Sequence, residues 1–247
     1  MTNDSLEPAL YLVPVPIGNR DDITLRALKT LQRADIIASE DTRTTGQLLA
    51  LYSITAQRLQ SYHDYNEAER ASALVQAVQS GASVALVSEA GSPCISDPGY
   101  RIVQAAIKAS IKITPLPGAT ALIPALSASG MAIHSFTFLG FPPQKKGRET
   151  FLNEALRHEE TVVMYESSHR IVHLLEELRD LGAGKRRVCI ARELTKMYEE
   201  FIRENLDDCL QRLAARPSQK GEFVIVLEGK GEHLIDNQGE EKARIRN

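Results

Sequence analysis

Along the first half of the chain, short apolar runs rich in β-branched residues alternate with stretches in which apolar positions recur every three or four residues. The strand-like runs are residues 10–15, 36–38, 84–88 and 111–116. Asp22 and Thr24 stand as N-cap candidates before a helix carrying Ile23, Leu25, Leu28 and Leu31. Residues 67–79 read as a helix stopped by Gly81, and residues 100–109 as a further helix. Alternation of this kind predicts a mostly parallel sheet with helices on its faces.

The pattern changes in the second half. Residues 136–139, 161–165, 188–191 and 223–227 are strand-like, and helices are predicted near residues 147–157, 169–180 and 206–214. Residues 199–203 read as a short antiparallel strand, which would make this sheet mixed. The expectation is two α/β domains, residues 1–117 and 118–229, followed by a polar, aromatic-free tail, residues 230–247, expected to be disordered.

Composition narrows the class. With 247 residues, 43% hydrophobic and 25% charged, the chain is neither fibrous nor disordered overall. The net charge of −3 announces no general attraction to nucleic acid and leaves a local basic patch open. Cys94, Cys189 and Cys209 are odd in number and far apart, so neither a disulfide framework nor a zinc knuckle can be written from them. No Asp, Glu, Lys or Arg occurs in residues 113–144, but Pro115, Pro117, Pro124, Gly130 and Gly140 interrupt that stretch. It reads as buried core and not as a membrane span. The first residues lack the basic and apolar regions of a secretory signal, so a soluble cytoplasmic protein is expected.

Three Gly/Pro-rich segments directly follow strand-like runs: residues 14–18 (PVPIG), 91–99 (GSPCISDPG) and 115–120 (PLPGAT). In a parallel sheet all three gather at the carboxyl ends of the strands, where open α/β sheets bind ligands. Neither GxGxxG nor GxxxxGK followed by Ser or Thr is present, and the three loops contain no Lys or Arg. A dinucleotide or a triphosphate therefore loses its usual support, whereas a ligand with a positive or neutral reacting centre fits.

Seven segments, taken together, carry a resemblance: LYLVPVPIGNRDDITLRAL from Leu10, EDTRTTGQLL from Glu40, SEAGSPCISDPGYRIV from Ser88, PLPGATALIPALSASG from Pro115, YESSHRI from Tyr165, ARELTK from Ala191 and KGEFVIVLEG from Lys220. In this order and combination the chain resembles the ribosomal RNA small subunit methyltransferase I family, 2′-O-ribose methyltransferases of the tetrapyrrole-methylase fold. Where that family usually has Asp and Thr, this chain has Glu89 and Ser92, both of the same polar type. The resemblance implies S-adenosylmethionine as methyl donor, bound in a cleft between the domains, and a cytidine of the decoding centre of 16S rRNA in the small ribosomal subunit as acceptor. It also implies a homodimer; methyl transfer from a sulfonium disperses charge in the transition state, so no metal is expected, and no membrane partner is expected either.

Together, the loops and the resemblance nominate Pro16, Gly18, Ser88, Glu89, Gly91, Pro93, Ile95, Gly118, Ala119 and Thr120 for the cofactor, with Met164 and Tyr165 from the second domain. Methyl transfer to a ribose hydroxyl is an in-line displacement that gains from positioning and from a general base. Glu40, Asp41, Glu89, Glu166 and Glu193 are carboxylates near these motifs, and the sequence does not separate them. Glu166, Arg192, Glu193 and Arg43 are taken as the catalytic candidates. Lys145, Lys146, Arg148, Lys185, Arg186 and Arg187 are nominated as phosphate contacts, with Arg43 and Arg170 nearer the reacting ribose. Tyr62, Tyr65 and Tyr100 are aromatic candidates for base stacking. His169 and His173 have the spacing of a metal pair on a helix but lack a third ligand at supportive spacing. Two alternatives stay open at this point: a tetrapyrrole methyltransferase, and a ribosome assembly factor that keeps the fold without catalysis.

Overall fold

The computed structural model describes residues 5–230. The expected disordered tail lies outside the described residues, apart from Lys230. The chain divides into two compact units, Met1–Pro124 together with Glu193–Glu199, and Ala125–Arg192 together with the chain from Glu200 onward. The first division comes later than the expected residue 117. The loop beyond that point is fastened back into the first unit, where Ser92 Oγ donates to the Ala119 carbonyl at 2.8 Å. The segment around Thr195 joins the same unit, its Oγ1 accepting from the Asn19 amide at 3.0 Å.

The first unit is built on five strands, β1 (Leu10–Leu12), β2 (Ile36–Ser39), β3 (Leu59–Ser61), β4 (Val84–Val87) and β5 (Ile113–Pro115), in the order β3-β2-β4-β1-β5. All of its pairings are parallel. Both faces are covered, as an all-parallel sheet requires. Tyr11, Ile37 and Ala85 face α1 (Leu25–Arg33) and α2 (Thr42–Leu51), whereas Leu10, Ile36, Val84 and Leu86 face α3 (Glu67–Gln79) and α4 (Tyr100–Lys108). Helix α1 begins where the sequence places its cap, with Thr24 Oγ1 accepting from the Ala27 amide at 3.0 Å. The connection from β1 runs to β2 on one side, and that from β4 to β5 on the other. Neighbouring strands whose connections leave in opposite directions open a crevice at their carboxyl ends, here between β1 and β4.

A short helix α5 (Leu122–Ser127) runs across the division after Pro124, and the second unit contains a five-stranded sheet, β6 (Phe136–Gly140), β7 (Thr161–Ser167), β8 (Arg187–Arg192), β9 (Glu200–Asn205) and β10 (Glu222–Leu227), in the order β6-β7-β10-β8-β9. Only β6 and β7 are parallel, so the sheet is mixed as expected, with β9 antiparallel to β8. Helices α6 (Arg148–Arg157), α7 (Ile171–Leu178) and α8 (Leu206–Ala214) bury Leu152, Leu174, Leu178, Cys209 and Leu213 against Val162, Met164, Ile190 and Ile225. No helix among the described residues is long and apolar enough to cross a membrane.

Candidate functional site

The three Gly/Pro loops of the first unit meet at the carboxyl ends of β1, β4 and β5. Beyond β1, Val15 and Gly91 exchange two backbone hydrogen bonds, at 2.9 and 3.0 Å, in an isolated antiparallel bridge. Gly91 holds φ at +79°, and a Cβ there would sit 3.2 Å from Ile17 and 3.6 Å from the Ala119 carbonyl. A Cβ at Gly118 would lie 2.5 Å from Pro14. Both glycines therefore let neighbouring side chains, the Pro14 ring and Ile17, pack directly onto the loop backbone. Ser88 is buried and donates to the Gly91 carbonyl at 3.2 Å, tying the strand end to the loop. Pro93 is buried, Pro16 and Thr120 are half-buried, and Glu89 and Ile95 are exposed. Gly18 packs against Thr195 and Lys196, so a side chain there has no room. These first-unit residues belong to loops at one edge of the sheet.

Farther along the same edge lie acidic groups at the ends of β2, β3 and β4. Asp97 sits in the β4–α4 loop, between Cys94 and Ser96, whose φ angles are +71° and +63°, and Gly99, whose φ is +145°. Left-handed backbone at two non-glycine residues in one loop is costly and concentrates at functional sites. Burial, then the carboxylate of Glu40, and further those of Glu89 and Asp64, push the Asp97 carboxyl up to about 7 against the pull of a hydrogen bond from Ser88. Burial also raises Glu40.

The second-unit candidates are placed differently from expectation. Met164 is fully buried inside the apolar core, so its side chain has no surface for a ligand. Tyr165 is half-buried and edge-packed against Phe138 and Phe141, with centroids at 4.9 and 5.5 Å. Glu166 is 1% exposed. Its Oε1 accepts from Arg170 Nε and from its neighbour's amide, Ser167 N, at 2.8 and 2.7 Å, and its Oε2 lies 3.7 Å from Arg148. A carboxylate so enclosed holds its neighbours and does not meet an acceptor, which corrects the expectation of Glu166 as a base. Arg192 donates from Nε to the Lys220 carbonyl at 2.7 Å and lies 3.7 Å from Glu200. Glu193, with φ at +50°, pairs with Lys196 at 2.9 Å. Arg43 is exposed and bonded to Asp41, whose carboxyl it holds below the usual carboxylate range. His173 faces Glu176 and Glu177 at 3.7 Å, and no cluster of three or more His, Cys, Asp or Glu among the described residues is arranged to hold a metal.

The family model of tetrapyrrole (corrin/porphyrin) methylases matches residues 9–210. A ribosomal RNA small subunit methyltransferase I of Halalkalibacterium halodurans is 47% identical over 91% of this chain and 77% of its own length. The chain belongs to the ribosomal RNA small subunit methyltransferase I family. A methyltransferase I of Vibrio cholerae is 46% identical over 90% of this chain and 77% of its own length. Among solved structures, a diphthine synthase superposes with a TM-score of 0.69 at 15% identity, covering 89% of both chains. A uroporphyrin-III C-methyltransferase from Thermus thermophilus, complexed with S-adenosylhomocysteine, superposes with a TM-score of 0.59 at 19% identity, covering 89% of this chain and 97% of that one. Likenesses at such identities speak for the fold alone.

For a member of the methyltransferase I family the basic residues matter, and the structure divides the nominated ones. Lys145 and Lys146 are exposed. Arg148 is 7% exposed and is bound to Glu177 and to the Pro143 carbonyl, so it cannot reach a phosphate. Arg186 donates to the Leu156 and Glu228 carbonyls, Arg187 lies 3.6 Å from Glu228, and Lys185 lies 3.3 Å from Asp207. Tyr62, at 1% exposure, receives the Ile102 amide and donates to Glu67, which removes it from base stacking, whereas Tyr65 and Tyr100 are exposed. Asp97 escaped the sequence reading although it stands in the quoted SDPG segment. Nothing local sets it apart from a turn aspartate, because what raises it is chiefly burial and then Glu40 beyond β2, with Glu89 and Asp64 adding to them.

Proposed function

We propose that this protein is an S-adenosylmethionine-dependent methyltransferase that acts on the ribose 2′-hydroxyl of a cytidine in the decoding centre of 16S rRNA, in the assembled small subunit. The coarser part, methylation of small-subunit ribosomal RNA, is what relatives at 46–47% identity over nine-tenths of the chain are named for, and that likeness carries the reading. The cytidine, the ribose oxygen, the assembled acceptor, a homodimeric state and a cytoplasmic location are the finer parts of the proposal.

The first-unit loops suit the cofactor. They carry no basic side chain, and Gly91 and Gly118 let them pack closely, with Ile17 and Pro14 standing where a Cβ would intrude. Pro16, Gly18, Ser88, Glu89, Pro93, Ile95, Ala119 and Thr120 belong to the same edge and are proposed to bind it. When bound, S-adenosylmethionine supplies a methyl group on a sulfonium, which forms a C–O bond to the ribose as its C–S bond breaks. The protein's part is to hold the acceptor oxygen in line and to receive its proton. Asp97 is proposed to receive that proton: it stands in the loop that follows Gly91, among the left-handed backbone of Cys94, Ser96 and Gly99, and burial with the carboxylates of Glu40, Glu89 and Asp64 raises it to about 7, where a base is useful near neutral pH.

Transfer of a tritiated methyl group tests the reading. Purified small subunits lacking the modification should accept label far better than deproteinised 16S rRNA. Nuclease digestion should release it as 2′-O-methylcytidine. Label on a base, or equal labelling of naked RNA, would refute the corresponding part, and transfer to no RNA would refute the whole.

A further inference from the structure

Glu166, Arg170, Arg148 and Glu177 form a chain of alternating charges in the second unit, and most of it is out of water. The Glu166 and Arg148 side chains are 0% and 8% exposed, and those of Glu177 and Arg170 are 25% and 31% exposed. Arg148 binds Glu177 through Nε at 2.8 Å and Nη2 at 2.7 Å, stands 3.7 Å from Glu166 with Nη1, and also donates Nη1 to the Pro143 carbonyl at 3.0 Å. Glu166 in turn takes both Nε and Nη2 of Arg170 on one oxygen, each at 2.8 Å.

Enclosing four charges is costly, and apolar residues of similar size commonly hold a fold as well or better. The arrangement therefore asks for a use besides stability. Its only member open to solvent as a cation is Arg170. A guanidinium has five N–H donors, and Glu166 occupies its Nε–Nη2 edge. The opposite edge, with both Nη1 donors and the outer Nη2 donor, has no partner among the described residues. Arg170 is also the N-cap residue of α7 and makes no side-chain capping bond. A cation at a helix N-terminus is electrostatically disfavoured, so an anion bound there would relieve it. The free edge is a fork of the width that oxyanions take in bidentate fashion.

We propose that Arg170 binds a phosphate of the RNA acceptor and that Glu166, Arg148 and Glu177 are positioning residues that fix the direction of its free fork. This rests on the RNA-methyltransferase reading above. An oxyanion of a second source, the carboxylate of S-adenosylmethionine, would use the same chemistry, and the test separates the two.

The test uses the full-length protein and unmodified small subunits. Arg170→Ala should raise the KM for subunits on the order of 10- to 100-fold, the loss of a charge-assisted contact. It should also reduce the slope of log affinity against log salt by about one, with S-adenosylmethionine affinity unchanged in calorimetry. Glu166→Gln should raise the KM less and leave the cofactor affinity alone. In the Arg170→Ala background Glu166→Gln should add nothing, because its whole effect passes through that arginine. Arg170→Lys should restore charge but not affinity, since a point charge lacks the fork. Should Glu166→Gln fail to fold, Arg170→Ala and Arg170→Lys still decide, being changes at a partly exposed side chain. Unchanged subunit KM and salt slope in Arg170→Ala overturn the proposal, and so does a loss confined to cofactor binding. Additive effects of the two substitutions overturn the positioning role. A wild-type protein that neither binds nor methylates subunits overturns the RNA-methyltransferase reading itself, and this proposal with it.

Discussion

A single carboxyl group shows how much chemistry a neighbourhood can add to a residue. Asp97 is held near 7 by burial and by the carboxylates of Glu40, Glu89 and Asp64. A free aspartate in the unfolded chain titrates near 4. Between about pH 4 and pH 7 the folded protein therefore keeps a proton that the unfolded chain has lost, and its stability falls as pH rises through that window. Asp97→Asn does not titrate, so its melting temperature relative to wild type should be higher at pH 8 than at pH 4, a difference that calorimetric scans at the two values would read. In turnover the sign is opposite. The wild-type rate should rise with pH and level off above about 7, and Asp97→Asn should lose that limb together with most of the rate. Gly91 gives a second test at this scale. With φ at +79° and Ile17 only 3.2 Å from a built Cβ, Gly91→Val should weaken S-adenosylmethionine in calorimetry and leave the circular dichroism spectrum intact. The three loops at the strand ends were legible in the sequence because Gly and Pro cluster directly after apolar runs. Asp97, and the enclosure of Glu166 by Arg148 and Arg170, were not, because both depend on partners brought in from other elements.

At the scale of elements, what the sequence showed and what it hid follow from length. Long, strongly periodic segments such as α1 and α8 and fully apolar runs such as β4 were legible, down to the Thr24 cap. Thr24→Ala should remove one satisfied amide at the start of α1 and cost about 1 kcal/mol in denaturant unfolding, with cofactor affinity unchanged. Strand β3 was hidden. Its three residues, LQS, contain one apolar position, all are half-buried, and only pairing with β2 makes them a strand. Helix α2 was hidden for a different reason. Its sequence TRTTGQLLAL is poor in strong helix formers at the start, and it is begun by Asp41, whose side chain accepts the Arg43 and Thr44 amides.

For the whole molecule, a net charge of −3 means that attraction to a ribosomal acceptor has to be local. The structure reduces the nominated basic clusters to a smaller set, because Arg148 and Arg186 are spent on carbonyls and carboxylates within their own unit. Replacing both Lys145 and Lys146 with Gln should flatten the salt dependence of subunit binding by about two without lowering the melting temperature. Arg186→Gln should act the other way, with a lower melting temperature from the unpaired carbonyls and an unchanged salt slope. Gel-shift titrations across a salt series, beside thermal melts, would separate the two behaviours. The sequence could point to clusters of like charge. It could not tell which members face water, since that is decided by acceptors such as the Leu156 carbonyl, 30 positions away.

The return of Glu193–Glu199 to the first unit has a consequence for how the chain is made. Thr195 closes onto Asn19 across 176 positions. A ribosome adding residues from the N-terminus delivers the five parallel strands early, yet the last piece that covers the β1 loop emerges only after most of the second unit has been synthesised. The part translated first thus waits for a segment translated much later, and the edge that carries its loops stays open during that interval. A fragment ending at Pro124 should show native-like far-ultraviolet dichroism, yet its amides at Gly18 and Asn19 should exchange with solvent much faster than in the full chain. Release of Thr195 by Thr195→Ala in the complete protein should reproduce that local loss of protection and nothing more.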